Sequence, residues 1–235
     1  MAVDVSIDRR LLVGTLLALT CVTGLIDAAS YLRLGHVFVA NMTGNVVFLG
    51  FSLQPGSGLS APASALGIAG FLVGALAGGR LGFHLMSKPR LWLYTAFAIQ
   101  AAMLTMVAVL GDVGALAYAG NAAWLTIALL AFTFGLQNST VRRIGAADLT
   151  TTVLTLTLTG LAADNVIAGG PGAKWFRRLG SVLAMLAGAA VGALLLQVIG
   201  VTGVLAVAAV LVTIIALIFA TAPQPAPHAA AHSVA

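Results

Sequence analysis

One acidic side chain stands where chemistry is least expected. Asp27 closely follows the apolar run Leu11–Ile26, and a carboxylate at the centre of a bilayer costs on the order of 2.5–3.5 kcal/mol on the insertion scale. It could pair with Arg33, take up a proton, bind a cation, or reach headgroup water. The other acids are Asp4 and Asp8 before the first apolar run, Asp112 in a loop, and Asp148 and Asp164 beside a short polar stretch. Asp27 is therefore the acid whose protonation could matter to transport. Shortly after it come Asn41, Thr43, Gly44 and Asn45. On a helix Asn41, Gly44 and Asn45 share one face, where two amides offer donors and acceptors and a glycine admits close approach. These residues could grip a small polar solute or bond between helices. In the second half Gln137 and Asn138 occupy the position of Asp27. Asp148, Thr151, Thr152, Thr155 and Thr159 then fall on one helical stripe, facing either a pore or the bundle.

Enzyme chemistry has little to work with. His36 and His84 are isolated, and no two His, Cys or carboxylates stand at metal-ligand spacing on one helix. No nucleophile elbow occurs, and the glycine-rich stretches 56–58 and 169–172 lack the context of a phosphate cradle. The single Cys21 has no partner for an intrachain disulfide. The sequence thus predicts no enzyme, no cofactor and no metal. Gly70, Gly74, Gly78 and Gly82 recur every four residues, echoed by Gly188 and Gly192, the pattern of closely approaching helices.

The elements that must hold these residues are set by the solvent. With 60% hydrophobic and 7% charged residues the chain lacks the polar surface of a soluble domain. Its basic residues are scattered between apolar runs, which fits cytoplasmic loops and not nucleic acid. Six runs, near 11–31, 61–85, 91–111, 120–140, 178–200 and 203–221, have spanning length. Val37–Leu53 and Leu149–Ala163 are shorter and more polar. If these two also crossed, Lys and Arg would divide 5 against 6 between the two sides; if neither crosses they divide 10 against 1. The expectation is an all-α membrane protein of six transmembrane helices and two short intramembrane polar helices, in a bacterial inner membrane, with both termini cytoplasmic. Residues 1–10 form a cytoplasmic N-terminus and 222–235 a disordered tail.

The chain also repeats. Gly24-Leu25-Ile26-Asp27-Ala28, Arg33, Gly35 and Asn41-Met42-Thr43-Gly44-Asn45 have a counterpart in Gly135-Leu136-Gln137-Asn138-Ser139, Arg142-Arg143, Gly145 and Thr151-Thr152-Val153-Leu154-Thr155. The halves, 11–111 and 112–221, would each hold three crossings and one short element. An odd number of crossings turns the second half upside down, giving two inverted-topology repeats, a recurrent plan of transporters and channels.

The strings Gly24-Leu25-Ile26-Asp27-Ala28-Ala29-Ser30 and Val37-Phe38-Val39-Ala40-Asn41-Met42-Thr43-Gly44-Asn45, with Gly135-Leu136-Gln137-Asn138 and Val141-Arg142-Arg143, resemble the YoaK family of bacterial multi-pass membrane proteins. The resemblance extends to about residue 221. It implies a membrane fold and no particular substrate. Where such proteins commonly read Leu-Thr-Gly-Thr-Leu, this chain has Leu154-Thr155-Leu156-Thr157-Leu158, so a glycine kink is not expected there.

The functional expectation is a secondary transporter or channel-like permease for a small polar solute or ion, with the bilayer as surroundings and homo-oligomerisation left open. The competing reading is a non-transporting scaffold or sensor in which the glycines pack and the amides and hydroxyls serve as interhelical glue.

Overall fold

The computed structural model describes residues 9–144, 154–170 and 175–221, and among them the chain is helical and has no strand. Seven α-helices follow in order: α1 (Arg9–Arg33), α2 (Met42–Phe51), α3 (Ala61–Leu85), α4 (Pro89–Asp112), α5 (Trp124–Ile144), α6 (Leu154–Ala163) and α7 (Trp175–Thr221). Five segments, Arg10–Arg33, Ala61–Leu85, Pro89–Asp112, Asn121–Ile144 and Trp175–Thr221, are long and apolar enough to cross a membrane. Large apolar side chains such as Leu72, Leu76, Leu186, Leu194 and Val210 stand on the outside. That surface is what lipid, not water, would solvate. Helix α7 is broken at Gly200, whose φ of 64° and ψ of −171° lie outside the helical range; only a residue without Cβ enters that region freely.

Contacts fix the helix directions. Gly188 lies against Cys21 and Gly192 against Leu25, so α1 and the first arm of α7 run parallel. Gly70, Gly74 and Gly78 meet Ala128, Phe132 and Leu136 in turn, so α3 and α5 are parallel as well. Trp92 and Arg143 both pack on Gly82, and Gln100 bonds Gln137, which makes α4 and α5 antiparallel. Phe97 stacks on Phe219 at 5.6 Å while Asp112 and Thr202 wall one groove, so the second arm of α7 is antiparallel to α4. Gly67, near the start of α3, touches Asn45 and Phe38, which follow the end of α1. Taken together, these directions require α7 to double back at Gly200.

The two glycine seams match residue for residue. A Cβ on Gly24 would strike the Met185 carbonyl and the Ala189 amide; one on Gly135 would strike the Phe71 carbonyl and the Ala75 amide. Gly188 meets the Cys21 carbonyl three residues before Gly24, and Gly74 meets the Phe132 carbonyl three residues before Gly135. Such backbone contact is the reason small residues recur at these spacings. Gly78 meets the Ser139 side chain as well as the Leu136 backbone, and Gly82 faces side chains alone, those of Trp92 and Arg143.

The helix directions also sort the charge. Arg10, Arg80, Lys88, Arg90, Arg142, Arg143, Arg177 and Arg178 belong to one end of the bundle, and Arg33 is the basic residue of the other end among the described residues.

The segment between α1 and α3 departs from the expectation of a helix starting near Val37. After α1 the chain reverses at Gly35 (φ 107°) and His36 (φ 57°), continues without helix or strand through a bend at Val39 and Ala40, and helix begins only at Met42. Residues 37–40 descend alongside α1: Val37 bonds Ser30, and Val39 and Ala40 bond Asp27. Helix α2 then climbs back, with Phe48 against Tyr31 and Phe38. The segment therefore enters and leaves by the same end of the bundle.

Candidate functional site

Every residue from Val37 to Ala40 is tied by a side chain. Ser30 Oγ donates to the Val37 carbonyl at 2.8 Å. Asn45 accepts from the Phe38 amide at 2.9 Å and donates to the Phe38 carbonyl at 2.6 Å, replacing the two bonds a neighbouring strand would make. Asp27 Oδ1 accepts from the amides of Val39 at 3.0 Å and Ala40 at 2.9 Å. Away from water each unsatisfied backbone group costs several kcal/mol, so non-helical chain at this depth requires such partners. Asp27, Ser30 and Asn45 are fully or nearly fully buried, whereas Arg33 is exposed.

The other predicted residues divide. Asn41 is the N-cap of α2 (φ −92°, ψ 81°) without a side-chain capping bond, so it is not on a helical face with Asn45. Gly44 lies beneath the Phe38 ring, which a Cβ would strike, and Thr43 is exposed. Asn138 Nδ2 bonds the Phe134 carbonyl of its own helix at 2.9 Å. Thr155 and Thr159 are exposed, and it is Thr157 that is buried in α6. Thr151, Thr152 and Asp148 lie outside the described residues, as do 1–8 and the tail 222–235.

Gln137 belongs to a second polar cluster. Gln100 Nε2 donates to Gln137 Oε1 at 2.5 Å, Gln137 Nε2 to Thr23 Oγ1 at 3.0 Å, and Thr23 Oγ1 to the Leu19 carbonyl at 2.9 Å. All three side chains are wholly buried, and the chain of bonds joins α1, α5 and α4. Gln100 and Thr23 belong to no repeated motif, although a lone amide in the apolar run of α4 carries the same signal as Asp27. At the opposite end Arg178 Nη1 bonds Asp164 Oδ2 and the Gly160 carbonyl, each at 2.6 Å, tying α6 to the start of α7. A Cβ on Gly160 would strike that guanidinium.

Among the described residues no group of three His, Cys, Asp or Glu could hold a metal. The arrangement offers hydrogen-bond acceptors: Asp27 Oδ2 and Gln100 Oε1 are buried and have no partner.

Residues 15–218 match the model of a family described as "Protein of unknown function (DUF1275)". The chain belongs to this family. It is 33% identical over 157 residues to the UPF0700 transmembrane protein YoaK of Bacillus subtilis (strain 168), a match covering 64% of this chain and 66% of that protein. No solved structure matches. Membership and the apolar helices make this a multi-pass membrane protein, as its sequence strings implied.

Proposed function

We propose that the chain is a secondary transporter or channel-like permease of the bacterial cytoplasmic membrane for a small polar solute or ion. It would cross the membrane six times, α7 counting twice. The observation that carries this reading is the segment 34–51, which dips into the bundle and returns to the same end while Asp27, Ser30 and Asn45 satisfy its backbone. Plain helices would fill a bundle without that demand. Irregular backbone at membrane depth is tolerated where it is enclosed by protein or lines a cavity, and transporters use it at their binding sites.

An inverted repeat supports the same plan. The matched glycine seams relate 11–111 to 112–221, with Asn45 and Thr157 as the buried polar residues of the paired short elements α2 and α6. The helix directions suit six crossings: if α2 and α6 also crossed, α4 and the second arm of α7 would run parallel, opposite to their packing. The basic end would face the cytoplasm, placing both termini there. A scaffold acting through helix packing would be served by the glycine seams alone and leaves the dipping segment without a task.

Reconstitution tests the reading. Liposomes carrying the protein should take up at least one small polar solute or monovalent ion faster than empty liposomes. Equal rates across such a panel would return the scaffold reading.

A further inference from the structure

Resting on the permease reading, the interior polar groups point to a class of solute. The bond chain between α1, α5 and α4 has a direction fixed at its α1 end. The hydrogen of the Thr23 hydroxyl goes to the Leu19 carbonyl, so Thr23 accepts from Gln137. The Gln137 nitrogen is thereby turned toward α1 and its oxygen toward α4, where it takes a hydrogen from Gln100. Gln100 Oε1 is left over, in a wholly buried side chain. One helical turn beyond Thr23 and on the same side of α1, Asp27 presents a second oxygen: Oδ1 takes the Val39 and Ala40 amides, the Asn41 amide also faces the carboxyl, and Oδ2 makes no hydrogen bond within 3.5 Å.

Two buried acceptors without donors are costly as they stand, and each is satisfied by a positive charge or a hydrogen-bond donor. An anion would meet only oxygen lone pairs. A divalent ion would normally draw more than one carboxylate, and Asp27 is the buried acid among the described residues. We propose that α1, α4 and α5 form a binding site for a monovalent cation, an alkali ion or ammonium, with Asp27 Oδ2 and Gln100 Oε1 among its ligands, and that this cation is the permeating or coupling species.

The test is thermal unfolding of the purified full chain in chloride salts of lithium, sodium, potassium or ammonium, against N-methylglucamine chloride at equal ionic strength. At least one small cation should raise Tm saturably above N-methylglucamine, and replacing chloride by nitrate should change nothing. Asp27→Asn keeps an oxygen for the two amides but replaces the free oxygen by a donor, and should abolish the cation effect. Gln100→Leu leaves residues 37–41 untouched and should raise the half-saturating concentration about tenfold; it decides the matter alone if Asp27→Asn fails to fold. No cation exceeding N-methylglucamine, or an effect unchanged in either folded variant, overturns the site. Cation-specific stabilisation without flux keeps the site and removes the permease reading. Flux of a neutral solute without any cation effect does the reverse.

Discussion

Asp27 and Asn45 show how one residue can be conspicuous in sequence while its task is not. Both stood out as polar groups in apolar surroundings, which composition alone reveals. Their partners are backbone groups of Phe38, Val39 and Ala40, which carry no side-chain signal, so the ties were illegible. The sequence puts Asn41 and Asn45 on one helical face, where Asn41→Leu and Asn45→Leu would act alike. The structure separates them. Asn45→Leu strips partners from both the amide and the carbonyl of Phe38, and should lower stability to unfolding by about 2–4 kcal/mol. Asn41→Leu, at the N-cap without a capping bond, should stay within about 0.5 kcal/mol. Denaturant titration followed by tryptophan fluorescence separates the two, and equal losses would contradict the assignment. Gln100 was legible by the rule that flagged Asp27, but no repeated motif drew attention to it.

At the scale of elements, the long helices were legible because spanning length and apolar runs are written directly in the sequence, and the packing glycines because they recur every four residues. The non-helical stretch 37–41 was not, since its apolar residues read equally as helix. The seams make distinct predictions. Gly74→Val and Gly188→Val drive side chains into the Phe132 and Cys21 carbonyls, and each should cut the yield of folded monodisperse protein several-fold. Gly79, with open space around its Cβ position, should accept alanine with a gain of up to about 1 kcal/mol. Size-exclusion profiles and thermal melts read both; a tolerated Gly188→Val would refute the close approach of α1 and α7. Helix α6 is held differently. Because Asp164 is 46% exposed, its ion pair with Arg178 is screened, and Asp164→Asn should cost less than about 1 kcal/mol. Its effect should instead be local, as faster amide exchange across 154–170. Unchanged exchange there would show that the pair does not restrain the element.

For the whole molecule, the helix directions fixed by contacts gather the basic residues at one end, the arrangement that the count of Lys and Arg favours for six crossings. That count is legible because charge bias depends only on where the crossings fall; the contacts of the glycine seams needed coordinates, because backbone contacts between distant segments leave only a faint trace in residue identity. The central claim is that the segment 34–51 dips and returns instead of crossing. It is tested most directly by sided labelling of single cysteines, introduced at the exposed Arg33, Ser57 and Ser87 in a Cys21→Ala background. With α2 returning to its own side, Arg33→Cys and Ser57→Cys should both react with an impermeant reagent from outside the cell, and Ser87→Cys only after the membrane is opened. Arg33→Cys and Ser57→Cys labelled from opposite sides would mean that α2 crosses and would contradict the account.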